Sequence, residues 1–251
     1  MIDIHTHVLP GIDDGAERVE ESLKLLSALE KQGVDKVVLT PHYYGRTRNV
    51  DKFLAGRKKA LETLRAAYKG NIEFVTGCEC NISTCANGNM GDLLPLAIGN
   101  TPYILVEMSF EPKWENELWE RLFELIYRTE LTPVIAHIEL YPAVMKHPEY
   151  ARRLIEENCL LQMNCDSVIK AETGSLSYAL LKHGQIHCLG SDTHNTYDRP
   201  PHYAQAAESI EKIFGKEYAD ILQIDMKKIL SGEKVKVVPT DSIVKRCFKY
   251  V

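Results

Sequence analysis

The sequence has no long apolar run and no excess of positive charge. No stretch approaches the roughly 20 consecutive apolar residues that a membrane-spanning helix needs. The first residues, with Asp3 and two histidines, lack the cationic start and apolar stretch of a signal peptide. The formal net charge of the 251 residues is -5, which is the wrong sign for a nucleic-acid-binding surface. We therefore expect a cytoplasmic protein with no transmembrane segment and no nucleic-acid partner.

The sequence also lacks the paired cysteines of a disulfide-bonded or zinc-knuckle protein. Its seven cysteines are odd in number and irregularly spaced, which favours reduced thiols. Cys78 and Cys80 are separated by one residue, and no second pair with zinc-ligand spacing follows them. The spacing therefore disfavours a thiolate metal site.

Short apolar runs typical of β-strands recur about every thirty residues and alternate with helical patterns. The strand segments are 2–5, 35–40, 72–77, 103–108, 132–137, 159–164 and 186–191. The helical segments are 17–32, 53–68, 114–128, 148–158, 174–183, 203–214 and 217–230. Strands that alternate with helices form a parallel sheet, so these segments predict a closed or nearly closed α/β barrel.

The residues capable of chemistry lie where these strands end. The sequence opens with MIDIHTHVLPGIDDG, in which the first strand carries His5 and His7 to one face before a Pro-Gly turn and two aspartates. Active sites of α/β barrels form at the carboxyl ends of the strands. The further histidines and carboxylates at or just after strand ends are Asp14, His42, Glu79, Glu107, His137, Asp192 and His194.

The number of these residues favours a metal site over a set of structural histidines. A single histidine at a strand end is usually a hydrogen-bonded structural residue, but here five of the nine histidines lie at strand ends with four carboxylates. Carboxylates buried close together repel one another unless cations neutralise them. Imidazole and carboxylate ligands together suit manganese, zinc or iron better than magnesium alone. We therefore predict a multinuclear metal site.

The same motifs resemble the PHP (polymerase and histidinol phosphatase) superfamily over residues 1 to about 230. More closely, MIDIHTHVLPGIDDGA, VIAHIE and SDTHNTYDRPPHY are similar to the bacterial tyrosine-protein phosphatases of capsule and exopolysaccharide loci, the CpsB/YwqE type. The resemblance implies a PHP-type distorted (β/α)7 barrel with parallel strands and outer helices. It also implies that 1–251 form a single PHP phosphatase domain in which 234–251 are a basic C-terminal tail. That tail either packs or frays, or docks on an acidic or membrane surface.

The resemblance further implies three divalent metal ions per chain. Manganese is expected first, with iron, zinc and magnesium as alternatives. The first ion would be held by His5, His7, Glu79 and Asp192, and the second by a bridging Glu79 with Glu107 and His137. The third would be held by Asp14, His42 and His194.

The reaction implied by the resemblance is hydrolysis of phosphotyrosine by a metal-bound water. Divalent cations lower the pKa of bound water and neutralise phosphate oxygens in the transition state. No cysteine is followed six positions later by an arginine, as a cysteine-dependent tyrosine phosphatase requires. The implied partner is a phosphotyrosine protein, the tail of a bacterial tyrosine kinase in capsule or exopolysaccharide synthesis.

Arginines near the predicted metal site are candidates to bind the substrate. Arg199, in TYDRPPH, occupies the position at which the family carries an arginine, and we predict a catalytic and substrate-binding role for it. Arg46 and Arg48 form a basic loop after His42 and are predicted to bind substrate. Tyr43 and Tyr44 in the same loop are candidates to stack on a phosphotyrosine ring.

One departure from the family pattern keeps other functions open. Leu140 stands where these phosphatases usually have arginine in a His-x-Glu-Arg motif. One alternative is a small-metabolite phosphomonoesterase such as a histidinol phosphatase. Another is a metal-stabilised regulatory module that binds a kinase tail without efficient turnover. The negative net charge disfavours a nuclease of the polymerase-associated type.

Overall fold

The computed structural model describes residues 1–47, 49–85, 90–238, 241–246 and 249–251. Arg48 of the predicted basic loop lies outside these ranges. None of the helices in the described ranges has the length and apolar composition needed to cross a membrane.

A curled sheet of parallel strands forms the centre of the fold. The strands β1 (Ile2–Thr6), β2 (Lys36–Leu39) and β4 (Glu73–Thr76) pair in the order β1-β2-β4. Six strands pair in the order β3-β5-β6-β7-β8-β9: β3 (His42–Tyr43), β5 (Glu79–Asn81), β6 (Tyr103–Glu107), β7 (Thr132–Ile135), β8 (Leu160–Asn164) and β9 (Cys188–Gly190). A parallel bridge between Thr6 and Thr193 brings β1 beside the end of the larger sheet. The strands thus curve around a shared interior.

The second and third predicted strands correspond to β2 and β4, and each is followed by a short strand that was not predicted. β2 ends before Pro41, which has no amide hydrogen to donate to a neighbouring strand. β4 ends before Gly77, whose carbonyl oxygen accepts a hydrogen bond from the buried Arg57 side chain. The chain resumes as β3 and β5, and these pair with the larger sheet instead of the smaller one. This shift places His42 opposite Glu79 in the strand register.

Helices cover the outside of the sheet because each buries one apolar face. They are α1 (Val19–Lys31), α2 (Val50–Ala67), α3 (Asn116–Thr129), α4 (Pro142–Lys146), α5 (Glu149–Glu156), α6 (Cys165–Ile169), α7 (Leu176–Lys182), α8 (Tyr203–Phe214) and α9 (Lys216–Ser231). Asn49 and Ser175 cap α2 and α7 by accepting hydrogen bonds from the backbone N–H groups of Lys52 and Tyr178. The short helices α4 and α6 were not predicted from the sequence. In the described ranges, three 3₁₀ turns follow strand ends or connect elements: Ile82–Thr84, Met90–Leu96 and Ile138–Leu140.

The described part of the C-terminal tail lies against the body of the protein. Its two antiparallel strands are β10 (Lys245–Arg246) and β11 (Lys249–Tyr250). The backbone N–H of Tyr250 donates to the carbonyl oxygen of Gly174 at 2.9 Å, and its hydroxyl donates to that of Met145 at 2.8 Å. These contacts favour the packed alternative for this segment.

Candidate metal centre

The nine predicted ligands lie at one end of the sheet, near or beyond the carboxyl ends of β1, β2, β4, β6, β7 and β9. His5 lies in β1, and His7 follows it. His42 begins β3, Glu79 begins β5 and Glu107 ends β6. Asp14 lies in the loop after β1, His137 follows β7, and Asp192 and His194 follow β9. All are buried except His42, which is partly exposed, and Asp14, which is exposed.

Four of these side chains converge on one point. The Nε2 atoms of His5 and His7 are 3.0 Å apart, and each lies 3.2 Å from Oε2 of Glu79. Oδ1 of Asp192 lies 3.4 Å from Nε2 of His5 and 3.5 Å from Nε2 of His7. Ligand atoms around an ion at about 2.1 Å stand roughly 3.0 to 3.4 Å from one another. The spacing of the His5, His7 and Asp192 atoms is therefore that of ligands sharing one small cation, and the Glu79 oxygen lies close to both histidines.

The hydrogen bonds behind the two histidines orient lone pairs toward this point. Nδ1 of His5 lies 3.0 Å from the amide oxygen of Gln162, and Nδ1 of His7 lies 2.7 Å from Oδ2 of Asp13. Both partners accept hydrogen bonds, so each Nδ1 carries a hydrogen and turns Nε2 toward the shared point, where the neutral form of the ring presents a lone pair. Two lone pairs facing each other beside two carboxylate oxygens repel, and a bound cation removes that repulsion. The donor set therefore fits a metal ion.

Glu79 connects this group to the other candidate ligands. Its Oε1 lies 2.8 Å from Nε2 of His137, while its Oε2 also lies 3.1 Å from Nδ1 of His42. His42, Glu79 and Glu107 have ligand atoms within 4.8 Å of one another, as a shared ion requires. Glu107 is held in place by Asn81, whose side-chain amide donates to its Oε2 at 2.6 Å. One carboxylate thus contacts histidines on both sides of the centre.

A third group lies toward the solvent. His7, Asp14, His42 and His194 also have ligand atoms within 4.8 Å of one another. Oδ1 of Asp14 lies 3.4 Å from Nε2 of His42 and 3.6 Å from Nε2 of His194. The buried Nε2 of His194 has no hydrogen-bond partner in the described ranges. Relative to the partition implied by the resemblance, the geometry adds His7 to this group and places His42 near Glu79 and Glu107.

Sequence reasoning missed the residues that orient these ligands. Asp13 accepts hydrogen bonds from His7 and from the backbone N–H of His42, the latter at 3.0 Å. Gln162 contacts His5 and also accepts from the backbone N–H of His137 at 2.9 Å. The side-chain amide of Asn164 donates to Oδ2 of Asp192 at 2.8 Å. The signal for the last two was two polar side chains in the otherwise apolar strand CLLQMN. Such partners fix ligand orientation in metal sites.

The charges of the centre stabilise one another strongly. Burial alone would raise the pKa of Glu79, but the neighbouring histidines, His5 foremost, hold that pKa well below its usual range. Burial alone would lower the pKa of His137, but the hydrogen bond and charge of Glu79 raise it to about 9. Burial and the nearby charge of Glu79 raise the pKa of Glu107. Glu79 thus favours a proton on His137, and metal binding would displace that proton.

Backbone geometry at the centre leaves little free space. His137 and Asp192 have positive φ angles of 32° and 53°, which residues other than glycine seldom adopt outside functional sites. A Cβ atom on Gly190 would lie 2.4 Å from Cβ of His5, so only glycine permits this approach of β9 to β1. The ligands are therefore positioned by a tightly packed frame.

The predicted substrate-binding residues differ in their relation to the centre. Arg199 donates from Nη2 to Oδ2 of Asp192, and its side chain is partly exposed at the mouth. Arg46 is exposed in the turn after β3. Tyr44 stacks on His42 with ring centroids 5.3 Å apart, beside a cleft of about 310 Å³. The expectation for Tyr43 was wrong, because strand alternation directs its buried ring away from His42 and against Phe53.

Comparisons with known proteins agree with this geometry. A family model described as capsular polysaccharide synthesis, CpsB/CapC, matches residues 1–242. Tyrosine-protein phosphatase CpsB of Streptococcus agalactiae is 28% identical over 246 residues, which cover 90% of this chain and 96% of that protein. Tyrosine-protein phosphatase YwqE of Bacillus subtilis is 27% identical over 253 residues, which cover 98% of each.

A solved structure gives the same relationship. It is one of the crystal structures of YwqE from Bacillus subtilis and CpsB from Streptococcus pneumoniae, which are described as unique metal-dependent tyrosine phosphatases. The TM-score is 0.80 at 28% identity, with 98% of this chain and 100% of that chain covered. The predicted PHP-type α/β fold and the predicted relationship are thereby confirmed.

Proposed function

Because the chain belongs to the CpsB/CapC family of capsular polysaccharide synthesis, we propose that it is a metal-dependent protein-tyrosine phosphatase. The observation that carries the proposal is the convergence of His5, His7, Glu79 and Asp192, with an arginine at the rim. The Nε2 atoms of His5 and His7 each lie within 3.5 Å of a Glu79 oxygen and an Asp192 oxygen, which suits a cation, and a guanidinium beside them suits a phosphate. Relatives over nearly the whole chain carry the same activity in their names.

We assign three divalent ions to the centre. His5, His7, Glu79 and Asp192 would hold the first, Glu79 with Glu107 and His137 the second, and Asp14, His42 and His194 the third. The mixture of imidazole and carboxylate donors favours manganese, with iron, zinc or magnesium as alternatives. When bound, these ions lower the pKa of water toward neutrality and neutralise phosphoryl oxygens.

The side chains around the ions bind and orient the phosphate. Arg199 is tethered by Asp192 through one nitrogen, which leaves its remaining N–H groups available to a phosphate oxygen at the mouth. Asn164 and Arg199 both donate hydrogen bonds to Oδ2 of Asp192, so Oδ1 of Asp192 stays directed toward the histidines. Arg46, exposed in the turn after β3, adds a positive charge for the peptide that carries the phosphotyrosine. Arg48, which lies outside the described ranges, is proposed to act with it.

The proposed substrate is a phosphotyrosine protein, in particular the tail of a bacterial tyrosine kinase of capsule or exopolysaccharide synthesis. We propose that residues 1–251 act as one PHP phosphatase domain in the cytoplasm. The six described cysteines carry no disulfide, as in proteins kept in a reducing compartment. The family name supports the link to capsule synthesis.

The test compares three substrates with manganese present: a phosphotyrosine peptide, histidinol phosphate and p-nitrophenyl phosphate. We expect metal-dependent hydrolysis that favours the phosphotyrosine peptide and that His42→Ala abolishes. Faster hydrolysis of histidinol phosphate would instead assign the protein to small-metabolite chemistry. Binding of a kinase tail without turnover of any substrate would identify a regulatory module.

A further inference from the structure

An exposed phenylalanine stands beside the candidate metal centre. Phe110 is 49% exposed and lies in the loop after β6, three residues beyond Glu107. Its ring centroid is 5.5 Å from that of His137 and 5.0 Å from that of Tyr141. One part of the ring therefore packs against His137 and Tyr141 beside the centre, and the rest is exposed to solvent.

The loop that carries Phe110 is fixed on both sides of it. The hydroxyl of Tyr141 accepts a hydrogen bond from the backbone N–H of Met108 at 2.9 Å. The indole N–H of Trp114 donates to the carbonyl oxygen of Ser109 at 2.7 Å. Because both anchors are buried, the exposure of Phe110 is a fixed feature of the loop. An apolar ring kept half in water by a rigid loop loses the benefit of burial until a partner covers it.

The two sides of the mouth differ in chemistry. On the Asp192 side, Arg199 offers a charged donor for phosphate oxygens. On the His137 side, Phe110 lies together with the turn Ile138–Leu140, whose last side chain, Leu140, is 38% exposed. A substrate with a phosphate on one end and an apolar ring on the other matches this division.

We propose that Phe110 is a specificity-determining residue that selects aryl over alkyl phosphomonoesters. This proposal rests on the proposed phosphatase function and names the side chain that recognises its substrate class. With the phosphate at the metal centre, the ring of a phosphorylated phenol packs against the exposed part of Phe110. Offset or edge-to-face ring packing adds to the burial of apolar surface. An alkyl phosphate such as phosphoserine gains neither contact.

The test uses Phe110→Ala, with Phe110→Tyr as the variant that retains a ring. In manganese, kcat and KM are measured for a phosphotyrosine peptide, and inhibition constants are measured for O-phosphoserine and inorganic phosphate. We expect Phe110→Ala to raise KM for the peptide about tenfold, with kcat and both inhibition constants within about twofold of wild type. We expect Phe110→Tyr, which keeps a ring, to have the KM of the wild type for the peptide. Tyr127→Ala, which removes an exposed ring from α3, serves as the matched control and leaves all values unchanged.

Two outcomes overturn the proposal. One is an unchanged KM in Phe110→Ala, and the other is an equal rise of KM and both inhibition constants, which would indicate a distorted centre. If the wild type does not hydrolyse the peptide, the proposed function fails, and calorimetric binding of phenyl phosphate and butyl phosphate to the manganese-loaded protein replaces the kinetic arm. A preference for phenyl phosphate that Phe110→Ala loses supports the role of Phe110 separately from turnover. A preference that Phe110→Ala keeps refutes it.

Discussion

Replacing Asp13 by asparagine should weaken metal binding without unfolding the protein. Asp13 is not one of the proposed metal ligands, and its side chain is only 4% exposed. Its carboxylate holds Nδ1 of His7 at 2.7 Å and accepts hydrogen bonds from the backbone N–H groups of Gly15 and His42, each at 3.0 Å. Asparagine has nearly the same shape but keeps only one oxygen and no charge. The change therefore removes the negative charge beside His7 and one of the two acceptor oxygens while leaving the loop filled.

The pKa of Asp13 shows how firmly its neighbours hold this carboxylate in its charged form. Burial alone would raise this pKa, but the hydrogen bond and charge of His7 outweigh burial and lower it from 3.8 to about 2. A shift of roughly two pKa units corresponds to about 2.5 kcal/mol of interaction between Asp13 and its partners. Loss of a residue that orients a metal-binding histidine typically costs about 10- to 100-fold in metal affinity or activity.

The assay is a manganese activation curve for hydrolysis of a phosphotyrosine peptide, combined with calorimetric titration of manganese. We expect the half-saturating manganese concentration of Asp13→Asn to rise about 10- to 100-fold. Asp35→Asn serves as the control, because it removes an exposed aspartate that pairs with the amino terminus at 3.2 Å. Its activation curve should superimpose on that of the wild type. A curve for Asp13→Asn that also superimposes on wild type, with an unchanged melting temperature, would refute the reasoning.

Three further predictions concern other parts of the molecule. Gly190→Ala places a Cβ 2.4 Å from that of His5 and should lower bound manganese measured by mass spectrometry, whereas Gly56→Ala, with no atom within 4 Å, should not. Burial lowers the pKa of His187 from 6.5 to about 4. The folded protein therefore favours neutral His187. The resulting contribution to folding stability is complete above pH 6.5 and is lost as the pH falls toward 4. Between pH 7.5 and pH 5, the free energy of unfolding measured with urea should fall by about 2 kcal/mol less in His187→Gln than in the wild type. An equal fall in both proteins would contradict this. Leu140→Arg adds a guanidinium beside His137 and should lower the inhibition constant of inorganic phosphate about tenfold, while an unchanged constant would show that this turn does not face the phosphate.

The sequence was sufficient to predict the barrel and to bring the candidate ligands together. Strands that alternate with helices run parallel, so their carboxyl ends meet, and polar residues at those ends become neighbours whatever the details of the loops. For this reason His5, Glu107 and His137 were predicted to lie near one another although they are far apart in the chain. The structure places all nine predicted ligands at this end.

The features that the sequence did not reveal are short or depend on three-dimensional contacts. The strands β3 and β5 have two and three residues, too few to show an alternation of apolar and polar positions. The roles of Gln162 and Asp13 depend on which imidazole nitrogen faces them, and residue type alone does not specify this. The error at Tyr43 was avoidable, because in a strand that directs His42 toward the centre the next side chain points the other way.

The position of Glu79 has a consequence for how the protein would acquire its metals. Its Oε1 lies against His137 and its Oε2 lies against His5, His7 and His42, so one buried carboxylate belongs to neighbouring sites at once. On the proposed assignment, an ion that occupies one site fixes this carboxylate and thereby prepares the adjacent site for the next ion. Metal uptake then becomes cooperative, with few partly loaded molecules at intermediate concentrations. The proposed phosphatase activity would then depend on the supply of divalent metal with a threshold, rising steeply over a narrow range of metal concentration.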